Sequence, residues 1–436
     1  MTRSMTLPAC LAAFGLLLTA CGGGGGGDEG SRSIVGDTVP VQPANPESRR
    51  ADVLATCTYS DRNTPCTLNT LPLLGMDVAE PGVEDVMDRT LVSHPWMTLR
   101  FRELLNDNPP ITAKLARAVT AVVIARNVRP SVYRVSTGAI YFDPRYLWQT
   151  LEEKDTIDRD EDERVSFGAE LNYRILWRYV LGDEYAYRGF DWDDREPRTL
   201  EDTRYRASQV LLHEFAHAND FFPPGTLNQL DRNQPPFVAH QAVADQGVAP
   251  ALQDSFPKQS ELMFDLAEVL FFGREARASE RALSPADVTR AFSGDAANDD
   301  YAYSTIREDV AMLFEEVMMK RYFNTDRDVG VTDNPEGDDL DADDYTVDWG
   351  QRGRIGDANV KARAQLVTDR MIPSENLDTF YASLAEPIPM RAGESWEDNL
   401  TPATAGDDPD AGSGNGTGAL PRSRRTPPQV QWLPID

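Results

Sequence analysis

Five consecutive residues, His213-Glu214-Phe215-Ala216-His217, constrain this chain more than any other stretch. Positions i and i+4 share a face on a helix, so the pattern asks for a helix that sets two imidazoles one turn apart. Neutral nitrogens placed this way can grip one tetrahedral cation. Glu214 beside them can then serve as general base on a water at the open coordination position. Val210, Leu211, Leu212, Phe215, Ala216 and Ala218 supply an apolar flank, which predicts a buried helix. The plainer reading is a core helix whose histidines only hydrogen-bond. Of the two other histidines, His94 and His240, each reads as structural rather than catalytic.

A catalytic zinc takes three protein ligands and leaves a fourth position for water, so a third ligand must come from elsewhere. Three residues after His217 stands Asp220 and six after it Pro223, which excludes the glycine and histidine or aspartate of a metzincin. Gly225-Thr226-Leu227-Asn228 places an amide where an aspzincin needs its aspartate. A glutamate from a later helix remains, with Glu261, Glu268 and Glu308 as candidates. Local context favours Glu308, because Tyr301 to Ala311 and Leu313-Phe314-Glu315-Glu316 put that carboxylate in the first turns of a helix with one apolar face.

Taken together, His213-Glu214-Phe215-Ala216-His217-Ala218-Asn219-Asp220 and the stretch from Tyr301 to Glu308 resemble the metal site of the lethal-factor-like gluzincins, which include Pro-Pro endopeptidases. In that family the third ligand is a glutamate with a tyrosine seven residues before it, and Tyr301 and Glu308 have this offset. The resemblance implies His213, His217 and Glu308 as ligands of Zn2+, Glu214 as base and Tyr301 as the phenol that hydrogen-bonds the oxyanion, with Tyr303 as its alternate. The segment between His217 and Glu308 is longer than the family pattern, which keeps Glu261 open as the ligand. Asn219 also departs from the apolar residue usual at its position. Asp220 and Asp309 are candidates to orient a ligating imidazole. The implied fold is α+β, a mostly helical zincin-like metallopeptidase with a small mixed sheet before the metal-binding helix. In zincins an edge strand of such a sheet pairs with extended substrate, and Gly138 to Phe142 is either that edge or an ordinary core strand.

Lys and Arg number 43 and Asp and Glu 71, a formal charge of −28, which argues against a nucleic-acid partner. Arg3 followed by the apolar run Leu7 to Leu18 reads as a secretion signal. Leu18-Thr19-Ala20-Cys21 resembles the bacterial lipobox, which implies cleavage before Cys21 and a lipid on its thiol; Gly22 after it suggests the outer membrane of the cell envelope. Two cysteines then remain, Cys57 and Cys66, and in an exported chain they predict a disulfide.

The expected organisation is a signal peptide over 1–20, a flexible Gly- and Pro-rich tether over 21–50, an N-terminal helical region with the disulfide over 51–110, the catalytic domain over 111–386 and a disordered tail over 387–436. Helical periodicity marks Glu84 to Val92, Pro95 to Leu105 with Ser93 as cap, Ile111 to Ala125, Ser260 to Phe272 and Ser304 to Tyr322, and Ser284-Pro285-Ala286-Asp287 reads as a helix start. Ser131 to Val135 and Gly138 to Phe142 read as adjacent strands. Asp338, Asp339, Asp341, Asp343 and Asp344 form either a calcium loop or a solvated one. The functional expectation is a monomeric, lipid-anchored zinc peptidase acting on a peptide or protein. Its rivals are a catalytically silent zincin-fold lipoprotein that binds a partner, and a metal-dependent hydrolase of a non-peptide substrate.

Overall fold

The computed structural model describes residues 39–401 apart from 160–162, 190–191 and 338–339. The stretch expected to be a signal peptide, Cys21, the expected tether before residue 39, Asp338, Asp339 and the stretch from residue 402 onward lie outside the described residues.

Two five-stranded sheets organise a mixed α+β chain. The first comprises β1 (Gln42–Pro43), β2 (Thr90–Val92), β3 (Ala121–Ile124), β4 (Val132–Arg134) and β5 (Ala139–Tyr141), in the order β1-β2-β3-β5-β4. It is mixed: β2, β3 and β5 run parallel, and β1 and β4 are antiparallel additions at its ends. Parallel neighbours need a crossover, which the helices Pro95–Asp107 and Pro110–Leu115 supply between β2 and β3. The all-apolar run of β3 is buried throughout, as a central parallel strand must be.

This arrangement corrects several expectations. Ile111 to Ala125 is not one helix: the α-helix ends at Leu115, a 3-10 turn over Ala116–Ala118 follows, and the chain then becomes β3, because the β-branched Val122, Val123 and Ile124 fill a slot between two strands. The periodicity from Glu84 gives only the helix Val83–Met87 before β2 begins. Ser93 is not the cap of the next helix. His94 holds that position, and the Ser93 hydroxyl lies 3.0 Å from His94 Nδ1 and accepts the Arg126 N–H. Of the two readings of Gly138 to Phe142, the core strand is the one seen, since β5 is flanked by β3 and β4 and the edges are β1 and β4.

The second sheet went unrecognised in the sequence. It contains β6 (Tyr173–Leu181), β7 (Glu184–Tyr185), β8 (Asp326–Asp333), β9 (Val347–Arg352) and β10 (Ile388–Pro389), all antiparallel in the order β10-β9-β8-β6-β7. Strands β6 and β8 pair over eight residues, with Arg327 opposite Tyr179 and Asp328 opposite Arg178. Side chains alternate between faces. Arg327 therefore joins Glu315 on the helical side, whereas Asp328 binds Arg178 and Arg352 on the other.

That second face holds the C-terminal segment. Trp396 is fully buried with the Arg178 guanidinium 4.4 Å from its ring centroid, and a Cβ at Gly330 would stand 2.9 Å from the indole. The fold accordingly continues at least to Leu400, and the disordered tail expected from residue 387 is corrected for 387–401. The tether is corrected as well: Val39 is buried and β1 is part of the first sheet. The proposed boundary near residue 110 is absent, because β2 and β3 on either side of it are paired and all described residues belong to one compact unit. The expected disulfide is present, Cys57 to Cys66.

Candidate metal centre

The central helix spans Leu200–Phe221 and starts with a capping box: the Thr199 hydroxyl accepts the Asp202 N–H, and the Asp202 carboxylate accepts the Thr199 N–H. Its last four turns are buried on every side, which explains why its sequence is nearly continuously apolar around the motif. Asn219, anomalous by pattern, donates to the carbonyls of Leu115 and Phe215 and so ties this helix to the crossover before β3.

A second helix, Ile306–Phe323, packs along it. Its Thr305 cap accepts the Glu308 N–H at 3.1 Å, which fixes Glu308 in the first turn, where the helix dipole favours a carboxylate. His213 Nε2 lies 3.0 Å from Glu308 Oε2 and 3.0 Å from His217 Nε2, and His217 Nε2 lies 3.3 Å from the same carboxylate oxygen. All three residues are buried. They are the group of potential metal-ligating residues found among the described residues.

Three electron-pair donors converging this closely repel one another unless a proton or a metal ion sits among them, and in the metal-free protein the His213 proton does so. Donor atoms around a tetrahedral zinc with bonds of about 2.0 Å stand about 3.3 Å apart, close to these separations. The other Glu308 oxygen, Oε1, is buried with no hydrogen-bond partner, a further sign of a site suited to positive charge. Electrostatics agree. Burial alone would raise the Glu308 carboxyl, yet the imidazoles, His217 foremost, hold it down at about 2. Burial would lower His213, but hydrogen bonds to Glu308 and Glu315 hold it up at about 10. The donor set fits a metal ion.

Each sequence candidate now has a place. Glu214 is buried on the same turn as the two histidines. Glu261 and Glu268 are exposed on the helix Glu261–Leu270 and lie outside the group, so the third position falls to Glu308. The long segment from His217 to Glu308 is filled by that helix, by Val248–Ser255 and by Pro285–Ser293, the last starting at Ser284 as expected. Tyr301 is fully buried, its ring edge-on to Phe271 at 4.8 Å and its N–H donating to Asp299 Oδ1. The Tyr303 hydroxyl donates to Asp295, which commits the alternate tyrosine elsewhere. His240 packs edge-on against Phe221 at 5.2 Å, and His94 sits at its helix start.

The expected imidazole-orienting carboxylates are corrected. Asp220 accepts the Ala249 N–H and pairs with Arg307, and Asp309 pairs with Lys258 and Arg363. Glu315 takes that role: its Oε2 accepts from His213 Nδ1 at 3.0 Å. Seven residues from Glu308 on a helix is two turns on one face, a spacing that was visible in the sequence. The acidic loop shows turn geometry, Asp341 accepting from the Asp343 N–H and Asp344 from the Asp341 N–H, and no cation-binding group among its described residues.

No family model, no curated protein and no solved structure matches this chain.

Proposed function

We propose that the chain is a zinc-dependent peptidase of the gluzincin type. The reading is carried by one observation: two imidazoles from one helical turn and a distant glutamate converge within 3.3 Å, with Glu214 on the same turn. His213, His217 and Glu308 would hold the ion. When bound, zinc supplies Lewis acidity and makes water acidic enough to lose a proton near neutral pH.

The chain's own residues supply the rest. Glu214 takes a proton from the attacking water and returns it to the departing amine. Tyr301 donates a hydrogen bond to the oxyanion. The chemistry is hydrolysis of a peptide bond in a peptide or protein substrate. Export supports this assignment only indirectly: the Cys57–Cys66 disulfide suits an oxidising compartment, and lipidation at Cys21 would anchor the enzyme to the cell envelope, at the outer membrane.

A second reading rests on a specific observation. His213, His217, Glu214 and Glu308 are each at most 2% exposed, as expected of a metal-bearing scaffold that binds a partner without catalysis. A hydrolase of a non-peptide substrate would share the same centre. Metal content by mass spectrometry and hydrolysis of a peptide library, for the wild type and Glu214→Gln, separate these. Peptide cleavage lost by about 100- to 10,000-fold in Glu214→Gln with zinc retained supports the peptidase. Zinc retained with no peptide cleaved by either protein favours the rivals.

A further inference from the structure

A continuous chain of buried polar groups runs from the His213 ring to the backbone of Tyr301. His213 Nδ1 meets Glu315 Oε2 at 3.0 Å; Glu315 Oε1 accepts from Arg327 Nη1 at 2.9 Å and from Gln209 Nε2 at 2.9 Å. The other arm of Arg327, Nη2, donates to Asp299 Oδ2, and Asp299 Oδ1 accepts the Tyr301 N–H at 2.8 Å. Arg327, Glu315 and Asp299 are all essentially inaccessible to solvent.

The geometry of Arg327 is fixed by the second sheet. Its register opposite Tyr179 aims the side chain at the helices, and its guanidinium lies 4.6 Å from the Trp177 ring centroid, the residue two before Tyr179 on the same face. A planar guanidinium with two donor arms can bridge two carboxylates in a fixed relation, which an ammonium cannot reproduce. Removing it would take a shared cation from two buried carboxylates at once and leave Glu315 only its contacts with His213, Gln209 and the Tyr179 hydroxyl.

We propose that Arg327 is a positioning residue that acts at both ends of this polar chain: through Glu315 it fixes the His213 ring with Nε2 turned to His217 and Glu308, and through Asp299 it fixes the backbone of the segment that carries Tyr301. This rests on the zinc-peptidase reading, which it deepens. A hydrogen bond at Nδ1 settles which imidazole nitrogen is left to coordinate, so the orientation of His213 depends on a residue that touches neither metal nor substrate.

The test uses the full chain with Arg327→Lys, Glu315→Gln and Asp299→Asn, alone and with the last two combined. Zinc affinity is measured by chelator competition, the His213 ring resonances by 15N-histidine NMR with and without zinc, and kcat and KM on a cleaved peptide. Glu315→Gln is expected to weaken zinc by about 10- to 100-fold. Asp299→Asn, which keeps an acceptor for the Tyr301 N–H, is expected to shift the His213 Nδ1–H resonance and to lower kcat more than it raises KM. The double variant is expected to show non-additive zinc affinities. Folded Glu315→Gln and Asp299→Asn proteins with wild-type zinc affinity and unmoved His213 resonances would overturn the proposal. Should Arg327→Lys not fold, these two carry the test alone. The metal-free NMR arm separates outcomes: a protein that takes up no zinc refutes the peptidase, whereas the His213 resonance in that same protein still reports whether the relay exists.

Discussion

Glu308 and Glu315, seven residues apart on one helix, grip the two nitrogens of a single imidazole: Glu308 meets His213 at Nε2 and Glu315 meets it at Nδ1, each at 3.0 Å. One carboxylate thereby sits beside Nε2, the nitrogen that would face a metal, while the other holds Nδ1 and leaves Nε2 available for coordination. The division of labour between two glutamates on one helix face leads to the first expectation.

Glu308→Gln is expected to lower zinc affinity by more than about 100-fold, because loss of an outer-shell partner alone costs 10- to 100-fold. Glu261→Gln should leave it unchanged, since Glu261 is exposed and lies outside the group. Equilibrium dialysis against radioactive zinc checks both, and the reverse ranking would move the ligand to Glu261.

Zinc uptake should release protons and strengthen with pH. In the metal-free protein His213 keeps its proton up to about 10, held by Glu308 and Glu315 against the effect of burial. A metal must displace that proton, so affinity is expected to rise by about tenfold per unit between about pH 6 and 8. Calorimetry in buffers of different ionisation enthalpy measures the released protons, and a pH-independent affinity would contradict the assignment.

Glu316 should make the protein less stable in mild alkali. Burial raises its carboxyl from 4.5 to about 7, and although Asn298 donates to Oε2, Oε1 is buried with no hydrogen-bond partner. The folded state then binds more protons than the unfolded state between these values. Its contribution is therefore complete below about 4.5 and lost as pH rises through about 7. Glu316→Gln is expected to match the wild type near pH 5 and to exceed it by about 3 kcal/mol above about pH 8, read from urea unfolding. An equal difference at both values would exclude titration of Glu316.

Trp396→Ala is expected to destabilise the fold by about 3–5 kcal/mol, as removal of a fully buried indole does elsewhere. Its contact with Arg178 and Gly330 makes the segment after residue 387 part of the second sheet's packing. Thermal unfolding measures this, and a change below about 1 kcal/mol would return the segment to the status of a tail.

Much of the centre was legible because helix periodicity is local. His213 and His217 face the same way by spacing alone, and the start at Ser284 was readable from a residue that caps its own helix. Glu308 emerged from a motif, and the structure places it among the candidate ligands while leaving Glu261 in solvent. Strand pairing was read less well. The run Ala121 to Ile124 is short and apolar, a pattern shared by buried helix and buried strand, and only its neighbours decide between them. The register of β6 with β8 joins residues about 150 positions apart, which no local pattern encodes.

By itself, then, the sequence determined the pair of imidazoles, the glutamate between them and the cysteines that close a disulfide, since each depends on spacing within a few turns. Tertiary structure alone decided that Glu315, and neither Asp220 nor Asp309, orients His213, and that Arg327 stands behind it. The reason is physical. A buried carboxylate takes its role from whichever donors the packing of distant elements brings within about 3 Å, and burial removes the water that would otherwise satisfy it.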